Sequence, residues 1–187
     1  MTCGWVWAEN AGLWRWMADG PFVDRESFDA MLKAKAASED PQFFAILDHE
    51  TGAALGHAAL MRYDEKNRVV EVGNIMYTHA LQRTRAATEA MYLPARFVFD
   101  ELGYRRYEWK CNALNEPSRR AAVRLGFTFE GIFRQHMIVK GVNRDTTWFS
   151  MLDCEWPDRK REFERWLGRA NFGDDRKQRT SLGQRAV

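Results

Sequence analysis

The chain has 187 residues, of which 45% are hydrophobic and 29% charged, and its formal net charge is only +2. This composition is typical of a soluble globular domain, and the balanced charge does not point to nucleic acid as a partner. Cys3, Cys111 and Cys154 are too far apart in the sequence for a disulfide framework or a zinc site, so no metal is expected. Neither a signal peptide nor a membrane-spanning apolar run is recognisable, so we expect a cytoplasmic protein that contacts no membrane.

Two helices are predicted within the first 38 residues. The first covers residues 7–18 and ends at the sequence DGP at 19–21, which is a stop signal for a helix. The second begins near Asp24, a residue type that caps helix N-termini, and its apolar face starts at Phe28.

The next segments predict three strands joined by short turns. QFFAILD at 42–48, AALGHAALMRY at 53–63 and RVVEVGNIMY at 68–77 are rich in apolar residues, and the turns between them are HETG and DEKN. Connections of this length join antiparallel neighbours, so the three strands are expected to form a meander.

Helices and strands alternate in the second half of the chain. A helix is predicted at 84–102, with a kink at Pro94 because a proline inside a helix removes a hydrogen bond. The remaining elements are a strand at 104–112, a helix at 115–126, strands at 127–140 and 145–154, and a helix at 158–169. The order ααβββαβαββα predicts a single α+β (mixed α/β) domain over residues 1–170, followed by a basic, disordered tail at 171–187.

The segment THALQRTRAATEA at 78–90 connects the third strand to the long helix. Free N–H groups and the dipole at a helix N-terminus attract anions, so Arg83 and Arg85 are unfavourable there on their own. A bound diphosphate would attract both the dipole and the arginines, which predicts an anion-binding loop. A solvated helix start with two surface arginines is the alternative, and spacing alone leaves it open.

Two stretches carry a resemblance to a known family. Residues Gln82–Ala87 match the first and last positions of the pattern Q/R-x-x-G-x-G/A, with Arg85 in place of its central glycine. The stretch 111–134 contains N-x-x-S, GF and EG in that order, at Asn115, Ser118, Gly126-Phe127 and Glu130-Gly131. Over roughly residues 40–155 the chain resembles the GNAT N-acetyltransferase superfamily. The similar branch is that of the ribosomal-protein N-terminal (alanine/serine) acetyltransferases.

The resemblance implies a mostly antiparallel twisted sheet flanked by helices, with a V-shaped splay between the fourth and fifth family strands. The first family strand would be short or absent here, because only MTCGWVW precedes the first predicted helix. Acetyl-CoA would be the co-substrate, with its pantetheine arm in the splay. The residues implied in binding it are Ile75, Met76, Tyr77, Gln82, Arg83, Thr84, Arg85, Ala86, Ala87, Asn115, Ser118 and Arg120.

Glu71 is the first candidate for the general base that the resemblance implies. It lies eleven residues before Gln82, on the strand that leads into the loop, and by alternation it shares a face with Gly73, Ile75 and Tyr77. A carboxylate buried among valines would accept a proton more readily, which suits a base. A salt bridge to Lys or Arg is the alternative role.

Three further residues complete the catalytic candidates. Glu108 and His136 are the reserve bases, although Glu108 could simply pair with a neighbouring Arg or Lys. Many relatives use a Tyr on the short helix to protonate the departing thiolate, but Ala122 occupies that position here, so the role could pass to Ser118. His49, His57 and His79 show no pattern with a partner and are interpreted as surface or strand residues.

The function that follows is transfer of an acetyl group from acetyl-CoA to a primary amine, by direct attack in a ternary complex. The amine could belong to a protein N-terminus or to a small molecule. The alternative is a catalytically degenerate acyl-CoA-binding or regulatory module, which Arg85 and the missing Tyr would allow. A nucleic-acid-binding module is disfavoured, because the tail has few aromatic residues and mixed charge. The oligomeric state stays open, a homodimer included.

Overall fold

The computed structural model describes residues 10–175 and 177–183 and contains one six-stranded sheet in the order β1-β2-β3-β4-β6-β5. The strands are β1 Gln42–Leu47, β2 Ala54–Asp64, β3 Val69–Tyr77, β4 Arg106–Asn112, β5 Thr128–Val139 and β6 Val142–Leu152. All neighbouring strands are antiparallel except β3 and β4, which are parallel. The predicted mixed α+β fold with a mostly antiparallel sheet is confirmed.

Four α-helices flank the sheet within the described ranges: α1 Arg25–Ala36, α2 Arg85–Arg96, α3 Glu116–Arg124 and α4 Trp156–Leu167. The predicted cap of α1 is confirmed, since the Asp24 carboxylate accepts from the Ser27 N–H at 2.7 Å. The predicted helix at 84–102 changes character after α2, because Phe97–Glu101 forms a π-helical turn that follows Pro94. No described helix is long and apolar enough to cross a membrane.

The two faces of the sheet differ in chemistry, as the alternation of strand side chains requires. One face, here the core face, packs Val70, Val72, Tyr107 and Trp109 against helices α2 and α4. The other face, here the polar face, carries the charged residues of β3 and β4. Its members include Glu71, Arg106, Glu108, Lys110, Trp148 and Ser150.

The pairing between β3 and β4 is short. It runs from Val69 opposite Arg106 to Val72 opposite Trp109, and the rest of each strand lies unpaired with the other. A bulge in β3 follows at once: Gly73 lies opposite Ala59, but the next partners are Met76 and His57. Asn74 adopts a φ of 49°, which Asn tolerates better than most residues. The result is a V-shaped opening between 73–77 and 110–112.

The predicted first helix is not formed in the part of it that the structure describes. Residues 11–16 form consecutive turns, with Leu13 N–H donating to Asn10 and Trp14 N–H to Ala11 at 3.0 and 3.2 Å. Gly12 donates to the Asn10 side chain, which competes with helical pairing. Trp14 is fully buried and contacts Phe22 and Phe28 edge-on. Residues 7–9 and the expected short or absent first family strand lie outside the described residues.

The predicted disordered tail is wrong for residues 171–175 and 177–183. Asn171 is buried and its side chain accepts from the Thr180 N–H at 2.9 Å, while Phe172 pairs with Gln178 in a β-bridge. Leu182 joins the hydrophobic core at 7% exposure. Packing of one Leu and one Phe therefore holds a segment whose composition predicts disorder.

His57 is a strand residue, as predicted, but it is buried rather than on the surface. It lies on β2 at 7% exposure, with Nε2 3.1 Å from the Lys35 ammonium of α1. Burial, and then the positive charge of Lys35, lowers the pKa of His57 from 6.5 to about 3. The imidazole is therefore neutral in the folded protein at neutral pH.

Replacing His57 with Gln should reduce the loss in the free energy of unfolding as the pH falls below 7. Because the folded-state pKa lies below the unfolded value, stability is full above pH 6.5 and is lost as the pH falls towards 3. The wild type should lose about 2 kcal/mol more than His57→Gln between pH 7 and pH 5, measured by urea unfolding. His49→Gln, at an exposed turn, is the control and should behave as wild type. Parallel curves for wild type and His57→Gln would contradict the prediction.

Candidate active site

The loop before α2 is held in shape by its own polar side chains. Thr84 caps the helix, accepting from the Ala87 N–H at 3.1 Å and donating to the Leu81 carbonyl at 2.7 Å. The Gln82 amide donates to the Tyr77 carbonyl at 2.9 Å, and the Tyr77 hydroxyl donates to the Ala87 carbonyl at 3.1 Å. Burial raises the pKa of Tyr77, so its hydroxyl stays protonated. The loop is therefore organised before any ligand binds.

Backbone donors at the start of α2 face outward from this loop. Arg83 has a φ of 62°, in the left-handed region, which turns the chain ahead of the Thr84 cap. The N–H groups of Arg83, Arg85 and Ala86 donate to no protein acceptor within the described part of the chain. A helix N-terminus with free donors is an anion-binding arrangement.

Three arginines of α2 and α3 differ in whether their N–H groups already donate to the protein. The Arg85 guanidinium lies 5.4 Å from the ring centroid of Phe172 and makes no ion pair with any described residue. Arg120 pairs with Glu116 on the exposed side of α3. Arg119 donates to the Ala113 carbonyl at 3.4 Å. Among these three, Arg85 is thus the one whose N–H groups are not committed to a protein acceptor.

Across the splay, α3 presents the predicted Asn115 and Ser118. The Asn115 side chain accepts from the Ser118 N–H at 3.3 Å and so caps the N-terminus of α3. The Ser118 hydroxyl accepts from the Trp109 indole at 3.0 Å. Cys111 is buried nearby, and burial raises the pKa of its thiol, as expected for an apolar residue. Ala122 is fully buried, so no side-chain donor replaces the missing Tyr at that position.

Glu71 lies on the polar face, buried to 4% exposure, and its Oε2 is shared by two cations. Arg62 approaches Oε2 at 2.5 Å and Lys110 at 2.9 Å. Lys110 also contacts Glu108 at 2.8 Å, and Arg106 contacts Glu108 at 2.7 Å. The salt bridges expected as the alternative roles of Glu71 and Glu108 are therefore present.

The charge network continues to the outer strand. Arg106 grips Glu130 through two hydrogen bonds of 2.8 and 2.5 Å, and Ser150 donates to Glu130 at 2.8 Å. The hydrogen bonds from Arg106 lower the pKa of Glu130 and keep it ionised. Most charged groups in the described part of this network are therefore already paired with an opposite charge.

The second oxygen of Glu71, Oε1, has a different surrounding from Oε2. Within residues 10–175 and 177–183 it accepts no hydrogen bond, whereas Oε2 is the oxygen that Arg62 and Lys110 approach most closely. It lies 3.2 Å from the position that a Cβ on Gly73 would occupy, and a Cβ there would also come within 2.7 Å of the Met61 sulfur. Glycine at 73 therefore preserves the space beside Oε1.

The bulge at Asn74 changes which residues share a face with Glu71. Met76, not Ile75 or Tyr77, continues the polar face, and it is buried against Trp14 and Phe28. Ile75 and Tyr77 pack towards the core face. The prediction that Ile75 and Tyr77 share the face of Glu71 is wrong, because a bulge breaks strict alternation.

His136 lies away from the residues around Glu71, on the edge strand β5. Its Nδ1 is 2.9 Å from the Thr146 hydroxyl, and its ring meets Phe133 and Trp148 edge-on. No hydrogen bond joins it to Glu71 in the described part of the structure. Trp148 in turn stacks under the Lys110 ammonium at 3.8 Å. His136 therefore belongs to the aromatic end of the polar face.

Arg62 contributes to the site but was not predicted from the sequence. Arg62 reaches Glu71 from the neighbouring strand, one residue beyond the Met61–Glu71 pair in the register. Arg62 has a φ of 55° at the register shift between Met61 and Asp64, so strict alternation along β2 would not have placed it beside Glu71. Within the described ranges no group of three or more His, Cys, Asp or Glu could hold a metal ion.

Comparison with known proteins gives a consistent result. A family model described as an acetyltransferase (GNAT) domain matches residues 3–128. A GCN5-related N-acetyltransferase from Brucella melitensis is 48% identical with a TM-score of 0.91, covering 93% of this chain and 79% of its own. A structure from Chromobacterium violaceum ATCC 12472, described as a probable GNAT-family acetyltransferase, is 40% identical with a TM-score of 0.73 over 78% of this chain and 73% of its own.

A sequence relative comes from Bacillus subtilis (strain 168) and is named "Putative ribosomal N-acetyltransferase YdaF". It is 29% identical over 109 residues, which cover 58% of this chain and 59% of the relative. The chain thus spans less than two thirds of this relative's length. The family model covers well over half of the chain. The chain belongs to the GNAT acetyltransferase family.

Proposed function

We propose that the protein transfers an acetyl group from acetyl-CoA to a primary amine by direct attack in a ternary complex. The observation that carries this proposal is the opening between 73–77 of β3 and 110–112 of β4, directly beside the free N–H groups before α2. A long, thin thioester with a diphosphate at one end matches this combination of an open strand edge and an anion-binding helix start.

The coenzyme would be held mainly by backbone groups. The N–H groups of Arg83, Arg85 and Ala86 face the diphosphate, and the unpaired edge of Ile75, Met76 and Tyr77 pairs with the amides of the pantetheine arm. Asn115 lies on the opposite wall of the splay. Gln82, Thr84 and Ala87 act indirectly, because their side-chain and backbone bonds fix the loop. Arg120, paired with Glu116, is placed at the outer rim near the 3′-phosphate.

The amine nitrogen forms the new C–N bond with the acetyl carbonyl carbon, and the C–S bond breaks. Glu71 accepts the ammonium proton through Oε1, the oxygen that accepts no hydrogen bond from the described residues, while Arg62 and Lys110 hold Oε2 in place. A backbone N–H of the splayed half of β3 stabilises the oxyanion. The Ser118 hydroxyl, oriented by the Trp109 indole, donates its proton to the leaving thiolate and takes up the second proton that the attacking nitrogen loses as the amide forms.

The amine would approach from the polar face. Residues 10–18 cross this face and are fixed at two points, where Asn10 contacts His79 at 3.2 Å and Lys140 donates to the Trp14 carbonyl at 2.9 Å. Trp14 clusters with Met76 of β3, so these residues lie beside the polar face. The name of the Bacillus subtilis relative supports a protein N-terminus as acceptor, with a small-molecule amine as the alternative.

A catalytically degenerate acyl-CoA-binding module is the second candidate. Ala122 is fully buried where many relatives have a Tyr, and Arg85 replaces the central glycine of the loop. Such a module would bind acetyl-CoA without turnover.

His136 is the second candidate for the base, since an imidazole can accept a proton and this one lies on the same face of the sheet as Glu71.

Acetyl-CoA binding should be visible as thermal stabilisation. At about 100 times its Kd the ligand adds about 2.7 kcal/mol, which raises Tm by roughly 5–10 °C for a protein of this size. Adenosine at the same concentration, which lacks the diphosphate, should leave Tm unchanged. A mixture of N-terminal peptides and small amines then tests turnover. Binding without acetyl transfer to any amine would favour the degenerate module, and no binding would contradict the proposal.

Glu71→Gln should lower kcat by about 10²–10⁴-fold and leave acetyl-CoA affinity nearly unchanged, because it removes the base and not the coenzyme contacts. Glu108→Gln is the matched control: it alters the same ion-pair network at Lys110 but keeps the proposed base. Its kcat should stay within a few fold of wild type. Equal losses in both variants would assign the effect to the network and not to Glu71, and a larger loss in His136→Gln would assign the base to His136.

A further inference from the structure

The C-terminal segment, defined as residues 171–175 and 177–183, is anchored next to the start of α2. The Asn171 amide donates to the carbonyls of Trp166 and Thr180 at 3.0 and 3.3 Å. Gln178 accepts from the Trp166 indole at 2.9 Å, and Leu182 is buried in the core. These contacts tie the segment to the end of α4, so its position in the fold is defined.

Two aromatic rings at this junction each contact the guanidinium of an arginine at or near the first turns of α2. Trp166 and Phe172 meet edge to face, with centroids 5.1 Å apart at 84°. Arg85 lies over Phe172 at 5.4 Å, and Arg124 lies over Trp166 at 4.9 Å. Arg124 also donates to the Thr88 hydroxyl at 3.1 Å, so it is already committed to a protein acceptor. Arg85 has no such acceptor among the described residues.

Stacking on an aromatic ring uses the face of a guanidinium and leaves its edge free. The five N–H donors of Arg lie in the guanidinium plane and match phosphate oxygens in pairs. Arg85 is the first residue of α2, where the helix dipole repels a cation. Without the ring of Phe172 this side chain would be free to turn to solvent, and ordering it again would reduce binding.

We propose that the C-terminal segment (171–175 and 177–183) is part of the coenzyme site and that Phe172 is a positioning residue, holding Arg85 with its N–H edge towards the coenzyme diphosphate. This inference rests on the proposed function, because the diphosphate is that of acetyl-CoA. The proposal also explains how the loop would bind the diphosphate with an arginine in place of the family glycine. The side chain leaves the backbone N–H groups accessible, and its own N–H groups donate to a phosphate oxygen.

A double-mutant cycle on acetyl-CoA affinity tests the inference by calorimetry. Arg85→Ala should weaken binding by about tenfold, as expected for loss of one charge-assisted contact. Phe172→Leu keeps an apolar side chain and should weaken binding about three- to fivefold, the size of an exposed cation–π contact. The double variant should bind as Arg85→Ala alone. A purely structural role of Phe172 would lower affinity equally in both backgrounds, so additive losses would overturn the inference.

Two controls complete the experiment. Phe172→Tyr keeps the ring and should bind as wild type, which also covers the case in which Phe172→Leu folds poorly. Acetyl-3′-dephospho-CoA should show the same loss on Arg85→Ala, because the diphosphate is retained. A loss confined to acetyl-CoA would place Arg85 at the 3′-phosphate and overturn the assignment. If wild type binds acetyl-CoA and Arg85→Ala binds equally well, only this inference fails. If wild type does not bind, the proposed function fails with it.

Discussion

The short parallel contact between β3 and β4 is the constraint on which the rest of the site depends. Four residue pairs, ending at Val72 and Trp109, hold the two halves of the sheet together. The bulge at Asn74 then turns β3 while β4 continues straight into its pairing with β6. Backbone N–H and C=O groups are therefore left without a partner strand in the middle of the sheet. Such unpaired groups normally occur only at sheet edges, where proteins protect them from pairing with other chains. A ligand that pairs with those groups removes the penalty.

The position of the splay also explains why the two faces of the sheet have different chemistry. The core face supplies stability, through Val70, Tyr107 and the aromatic residues of α4. The polar face buries Glu71 and Lys110 almost completely. Burying an ion pair costs desolvation energy that its attraction only partly returns, so such a pair is poorly explained by stability alone. In the proposed function, Lys110 holds one oxygen of the Glu71 carboxylate while the other oxygen accepts the proton of the amine.

Local chemistry predicts a large part of this structure. Strand boundaries follow from apolar runs between turns, and the caps at Asp24 and Asn115 follow from residue type. The loop before α2 is predicted as an anion site because two arginines at a helix N-terminus are unfavourable on their own, and a solvated helix start is the alternative that spacing leaves open. The roles of the individual site residues remain proposals, since sequence spacing places them near one another without fixing what each one contacts.

Features that depend on long-range contacts were not predicted. The bulge at Asn74 reverses the face of every later residue in β3, and nothing in the alternation of VVEVGNIMY reveals it beyond the Gly-Asn pair. The segment after residue 170 has the composition of a tail, yet Leu182 is buried in the hydrophobic core and Phe172 packs against that core. His57 is buried for the same reason, because α1 covers it. Each miss comes from tertiary packing and not from local preference.

Hydrogen–deuterium exchange with and without acetyl-CoA tests the central claim most directly. If the coenzyme lies in the splay, the amides of 73–77 and 110–112 should be protected on binding, together with those of 83–86. The paired amides of 69–72 should not change, because they are bonded in both states. Protection confined to the loop before α2, or spread evenly over the sheet, would contradict the account.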